Sequence, residues 1–446
     1  MDMLRSVKSA FAAALVMGLL GCGGGGGDSP APTAPPPEFA LTVEVAGTAA
    51  TPDLAGKYTV RPGQSVVVKS NDAASWAGSD SGSGVTRTDV ETGTSRWVSR
   101  FKNPSAVLSG AYKLTASASG GRTKTVDFLV QPRDSRSGDY TVFAANGSRQ
   151  KLSIDYDEAA YTMTDAVGTT TSGTLTAPVA PARNWTVQSS RIVGTNTSSL
   201  RSVGDSIVGG FPFAVPFAAP ATYAVYPFVA TRAFVLTQGS LDGVYDRAYI
   251  QHLVGGGRQS AISQFAISGS GTVISFCTDA TIYQVAHCPP ANLLTFDVEA
   301  DAQAGMWQMK DPVTGTSQGR FSVAEVDGEK IYLSAGTSPG DGSQVLTIGV
   351  PTVAGATTFT STGWSTNGTL DVTNATSTEY KMSMTDAGLQ LLDLTLGSWV
   401  PQRSIGIYSA TQAPNTFFTM RSTRIELLIG ARSSAQAGFL HVGIVD

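Results

Sequence analysis

An all-β protein is predicted, and three observations predict it. Charged residues are only 14% of the 446 residues and hydrophobic ones 41%. Gly (49), Ser, Thr and Ala take up the difference, a balance that suits pleated strands joined by tight turns. Short apolar–polar alternations bounded by turn residues recur from residue 39 to the C-terminus, and no amphipathic run of helical period competes with them. The chain is too long for one hydrophobic core, so several domains are expected. We divide it into 39–132, a small β-sandwich; 139–238, a β-rich unit; and 239–446, a β-rich barrel or sandwich.

The N-terminus comes first in order and carries a separate signal. Met1–Ser9 holds Arg5 and Lys8, and Ala10–Leu20 is an uncharged apolar run. That run is too short to span about 30 Å of hydrocarbon as a helix. A short apolar core behind a positive flank reads as an export signal over residues 1–21. Leu19-Leu20-Gly21-Cys22 resembles the lipobox of bacterial lipoproteins. The resemblance implies cleavage between Gly21 and Cys22, a diacylglyceryl group on the Cys22 sulfur and a further fatty acyl chain, such as palmitate, on the new amino group. Several acyl chains make a lasting anchor where one binds only marginally. Gly23 rather than Asp follows the cysteine, which in that family implies the outer membrane of a Gram-negative bacterium, on either face. The expected partner is thus the membrane. Residues 22–38 are a Gly/Pro-rich linker that cannot build a core.

With Cys22 acylated, Cys277 and Cys288 remain, and an exported protein meets an oxidising compartment. The two are expected to form one disulfide. His252, His287 and His441 are scattered without metal-ligand spacing, so neither a metal nor a cofactor is expected.

Within 39–132, strands are expected at Ala40–Val45, Ser65–Lys69, Arg96–Phe101, Ala111–Ser117 and Thr123–Val130. In pattern this segment resembles the Ig-like modules of bacterial surface proteins. It has no cysteine pair, so the antibody-type core disulfide is absent, and Trp76 or Trp97 would be its buried aromatic. A polar hinge, Gln131–Gly138, leads into the larger region. There Glu158–Ala166 (EAAYTMTDA) echoes Glu379–Ala387 (EYKMSMTDA), a faint repeat. Closed barrels and sandwiches both protect strand edges and are both compatible.

Few residues suggest chemistry. Gly315-Thr-Ser-Gln-Gly319 matches the nucleophile-elbow pattern, but it lies between two strand-like runs with no helix following, as a hairpin would. His441 is the candidate base for it, though nothing in the sequence places it there. Gly255–Arg258 lacks the Lys-Ser/Thr ending of a phosphate loop. Asp155, Asp157 and Glu158 lie around a strand end, and the alternating Asp297, Glu299 and Asp301 share one face of another strand and read as solvated positions rather than calcium ligands. No catalytic residue is nominated. The stretch 209–235 is apolar and proline-rich, and residues 206–231 carry no charge. It is expected to be a mostly buried crossover whose prolines interrupt strand pairing. Phe211, Phe213, Phe217, Tyr223, Tyr226 and Phe228 would form an apolar binding loop if it were exposed. This stretch also resembles segments of exported β-rich lipoproteins, a likeness that implies no activity.

A net charge of −4 without any basic block excludes an electrostatic nucleic-acid footprint. The leading expectation is a non-enzymatic, membrane-anchored envelope lipoprotein that binds a ligand or partner. The alternatives are a carbohydrate- or polymer-acting hydrolase with carboxylate catalysis, or a structural component of an envelope assembly.

Overall fold

The computed structural model describes residues 37–180, 182–191, 198–279, 284–353, 358–376, 379–385, 390–395, 407–412, 415–432 and 436–446. The expected export signal, Cys22 and most of the linker lie outside them. The described chain is all-β: thirty-three strands and four short 3-10 turns.

Two sheets form the N-terminal sandwich. One orders Thr48–Ala49, Leu41–Val45, Ser65–Ser70, Arg96–Lys102 and Thr86–Thr92; the other orders Lys57–Val60, Thr123–Val130, Gly110–Ala118 and Ala74–Asp80. The inward side chains of both sheets meet in a core containing Val66, Val68, Phe101, Leu114 and Phe128. Trp97, fully buried, is the core aromatic, whereas Trp76 sits part-buried and donates to Gly93 O at 2.8 Å. Lys57–Val60, Ala74–Asp80 and Thr86–Thr92 were not expected as strands. Their sequences, such as Ala-Ser-Trp-Ala-Gly-Ser-Asp, carry no clean apolar alternation, and the pairing of neighbours decides their conformation.

Three eight-stranded antiparallel meanders follow. The first closes as a barrel from Gly138–Ala144 to Tyr223–Thr231, the second from Gly243–His252 to Gln344–Pro351. In the third, the first strand, Phe359–Ser365, again pairs with the last, Leu440–Val445. Its ring shows no ladder between Gln390–Thr395 and Tyr408–Gln412 among the described residues. The region expected as one unit at 239–446 is therefore two. The sequence repeat has a structural counterpart. The third strands of the three meanders are Ala160–Thr164, Val273–Cys277 and Glu379–Thr385. Thr164 and Thr385 end the first and last of these and Thr278 follows the second, and in the sequence each of the three threonines begins a Thr-Asp-Ala.

The stretch 209–235 corrects an expectation. It is not a crossover loop but the last hairpin of the first barrel, Ser206–Ala214 paired with Tyr223–Thr231. Pro212 and Pro227 lie inside these strands without breaking them. The ladder with Ser199–Val203 ends at Gly210, whose carbonyl accepts from Ser198 Oγ, so Pro212 faces that side beyond the ladder's end. Pro227 likewise lies just past the ladder with Gly138–Ala144, which ends at Phe228. Each proline occupies a position where its missing N–H leaves no ladder bond unmade.

One apolar cluster runs through all three meanders, from Phe211 and Phe228 through Ile250 and Ile348 to Trp364 and Leu427. Trp364 lies against Gly210 and donates its indole N–H to Ser199 Oγ at 3.0 Å. A Cβ on Gly210 would stand 2.6 Å from Trp364 Cδ1, so this close approach requires glycine. His252 Nε2 donates to Ala145 O at 2.9 Å across the seam between the first two barrels.

Candidate ligand-binding site

The second barrel is filled at one end and open at the other. Tyr245 packs in its interior, and two-residue alternation turns Arg247, Tyr249 and Gln251 to the same face of Gly243–His252. The opposite face, Ala248 and Ile250, is buried in the shared cluster. The strand is thus covered on both sides, and its polar residues are held rather than free to turn out.

Aromatic rings close the floor. Tyr245 stacks on Phe265 at 5.1 Å, Phe265 meets Tyr332 edge-on at 4.7 Å, and Phe321 stacks on Tyr332 at 4.9 Å. Val235 and Leu241 cover this plug from below, and Tyr245 OH donates to Leu241 O at 3.2 Å.

Above the plug the barrel widens into a cavity of about 990 Å³. Its walls include Arg247, Tyr249, Phe276, Met309 and Tyr332, with Gly336 at the strand end. Part of the rim comes from the first barrel, at Asn146–Gln150 and Asp165–Val167. Gly147 makes that approach possible. Its φ of +82° is left-handed, and a Cβ there would lie 2.6 Å from Gln344 Cβ of the second barrel.

The electrostatics of the cavity differ from those of the whole chain. Three arginines line it, Arg149, Arg247 and Arg320, against one carboxylate, Asp165. Asp165 Oδ1 accepts from the backbone N–H groups of Val167 and Thr169 in its own turn. Arg320 pairs with Asp301 at 2.9 Å. Arg247 makes no ion pair among the described residues; its guanidinium carbon lies over the rings of Tyr249 at 4.9 Å and Phe276 at 5.3 Å. Burial pushes the Tyr332 hydroxyl up to about 12 in spite of nearby Arg247, so it keeps its proton.

A second polar cluster lies inside the third meander, where Ser361, Asp371, Tyr380, Glu426 and His441 are all fully buried. His441 Nδ1 donates to Asp371 Oδ2 at 2.9 Å, and Nε2 faces Glu426 Oε2 at 3.8 Å. Ser361 and Tyr380 each donate to Glu426. Burial would lower the His441 pKa, but the bond to Asp371 and the nearness of both carboxylates outweigh it and raise the group to about 9. The arrangement holds a proton in place, and none of its five side chains is exposed to solvent.

The residues singled out in the sequence fall as follows. Cys277 and Cys288 are bonded. Of the expected binding loop, Phe211, Phe213, Tyr226 and Phe228 are buried, while Phe217 and Tyr223 are 49% and 40% exposed at the hairpin tip. These six residues therefore do not form one exposed apolar surface. Ser317 begins an exposed strand end in the second barrel and His441 is sealed inside the third meander, so the G-x-S-x-G pattern is a hairpin turn without a base. Glu158 faces Arg100 and Lys102 of the sandwich at 3.6 and 3.9 Å, so that acidic group joins two domains. Glu299 pairs with Lys310, and no group of three His, Cys, Asp or Glu side chains suited to a metal occurs among the described residues. No helix among them is long and apolar enough to cross a membrane. Sequence reading missed Arg247 and Arg149. The signal for Arg247 was its parity with Tyr245 and Tyr249 in an alternating strand.

No family model matches the chain, and no curated protein matches it in sequence. A crystal structure of a DUF4784 family protein from Bacteroides caccae shares 10% identity over 85% of this chain and 92% of that chain. Its TM-score is 0.16, too low for any argument about fold or activity.

Proposed function

We propose that this protein is a lipid-anchored envelope protein, held at the outer membrane of a Gram-negative cell, that binds a small ligand in the cup of its second barrel. The anchor rests on Leu19-Leu20-Gly21-Cys22, and the Gly/Pro-rich linker 22–38 would hold the folded units clear of the lipid. The binding role rests on one observation, a cavity of about 990 Å³ with a sealed aromatic floor and an open mouth. Ligand sites commonly measure about 300–1,000 Å³ and combine apolar walls with a few fixed polar groups. Carboxylate hydrolysis needs two acids about 5–10 Å apart across a cleft. Here the one lining carboxylate, Asp165, is engaged by its own turn.

Two experiments test the two halves. Cys22→Ser should move the protein from the membrane fraction to the soluble one; retention in the membrane would defeat the anchor. A small-molecule extract of the envelope should raise the thermal midpoint of the folded part, since ligand at about a hundred times its Kd adds about 2.7 kcal/mol. Gly336→Trp places a large ring in the cup, where an added Cβ meets nothing within 4 Å, and should abolish that shift. A shift that survives in the variant, or is absent from both proteins, would defeat the cup as the binding site.

A further inference from the structure

Building on the cup as a ligand site, we propose that its ligand is an organic anion: an acidic group such as a carboxylate or sulfonate on an aromatic or similarly apolar body, with Arg247 holding the charge. The argument starts from an arginine that the fold holds without a counterion. Arg247 projects from a strand whose other face is buried, and its side chain lies between aromatic rings instead of reaching a carboxylate among the described residues. A partly desolvated cation costs free energy unless an anion compensates it. No described residue supplies one here, so on this proposal the compensating group comes from outside.

The surroundings agree. A chain of net charge −4 lines this one cavity with three arginines and a single acid. The acid is turned into its own loop, and Arg149, half-buried on the rim, contacts Met306 Sδ at 3.3 Å rather than a carboxylate. A guanidinium offers a planar fork of donors that matches two oxygens of a carboxylate, sulfonate or phosphate. The rings of Tyr249 and Phe276 hold that fork in place, which reduces the entropy lost when the anion arrives. Tyr332 forms part of the same wall. Phe276, Met309 and Tyr249 then face the body of the ligand. Inorganic anions lack that body and would meet only half of the site.

A matched pair of dyes separates charge from shape: anilinonaphthalene sulfonate, and phenylnaphthylamine, which is the same aromatic frame without the sulfonate. Fluorescence titration of the folded part should give at least tenfold tighter binding of the sulfonate. Arg247→Met, which keeps a stem against Tyr249 and Phe276, should erase that preference and leave the uncharged dye unchanged. Arg247→Lys should retain part of it. Gly336→Trp, or Gly336→Leu if the larger ring impairs folding, should remove both dyes. Equal binding of the two dyes, or a preference that survives in Arg247→Met, would overturn the anion inference while leaving the cup intact. Dye binding unaffected by filling the cup, or no binding of either dye, would overturn the cup reading itself.

Discussion

The second and third meanders share one topology and treat buried polarity in opposite ways. Both run eight antiparallel strands and pair the first with the last, although the second closes as a barrel and the third shows no ladder between Gln390–Thr395 and Tyr408–Gln412 among the described residues. In the second, Arg247 stands at an open cavity with aromatic rings for neighbours. In the third, His441, Asp371, Glu426, Tyr380 and Ser361 are sealed from solvent and bonded to one another, with Asp371 Oδ1 and His441 Nε2 left without a hydrogen-bond partner. A paired buried network fixes one packing of the strands, because each member is costly to strand alone. An unpaired cation beside a cavity does little for the fold and is available to a ligand. The same eight-stranded meander thus serves structure in one unit and, on our reading, recognition in the other.

The comparison breaks most readily at Glu426. Glu426→Leu leaves the Ser361 and Tyr380 hydroxyls without their acceptor and a protonated, buried His441 with Asp371 as its one remaining nearby carboxylate, and should cost about 3–5 kcal/mol in denaturant unfolding. A loss below about 1 kcal/mol would show that the cluster is not the structural element described here. The next effect belongs to the second barrel. Cys277 follows Phe276, which lines the cup, and is bonded to Cys288. Replacing both cysteines by Ser should cost about 3 kcal/mol by the loop-entropy argument. It should also weaken dye binding in the cup, whereas Glu426→Leu, provided the protein stays folded, should not.

The histidines sharpen the contrast through pH. His441 has a folded pKa of about 9, above its ordinary 6.5. Its contribution is therefore complete below pH 6.5 and lost as pH rises through 9, with a slope of at most about 1.4 kcal/mol per pH unit. His252 is the reverse. Burial lowers it to about 4, the bond to Ala145 O only partly opposing this, so its contribution is lost as pH falls from 6.5 towards 4. Unfolding free energies measured from pH 4 to 10 should show both losses. His441→Gln should flatten the alkaline one and His252→Gln the acid one; an alkaline slope unchanged in His441→Gln would contradict the charged network. The smallest effect is expected at Arg247, where Arg247→Met should change stability by no more than about 0.5 kcal/mol or raise it. A large loss there would mean that the arginine holds the barrel together after all.

Much of the architecture was legible because period-two alternation is a local property. Val66–Val68, Trp97–Phe101 and Phe128 announce the sandwich core, and Tyr245-x-Arg247-x-Tyr249 lies in a run readable as a strand. The disulfide was expected from the cysteine count and the resemblance to an exported protein, and the bond is present. The proline-rich hairpin was misread because proline's effect depends on whether a neighbouring strand reaches that position, which only the assembled sheet defines. The third meander was merged with the second because the turn-linked strands of both look alike, and closure is a pairing between residues far apart in sequence.

By itself, the sequence determined the strand content, the turn positions and the likeness to a lipidated N-terminus, since each depends on residues within a few positions of one another. It also carried Thr-Asp-Ala in all three meanders, a mark of equivalent place that is recognisable once the strands are counted. Only the tertiary structure decided which polar residues meet water and which meet each other. Arg247 and His441 are both inward positions on alternating strands, and neither residue type nor spacing distinguishes them. What differs is whether the ring around them is filled by their own partners or left open above an aromatic floor, and that follows from the side chains that eight separate strands bring together.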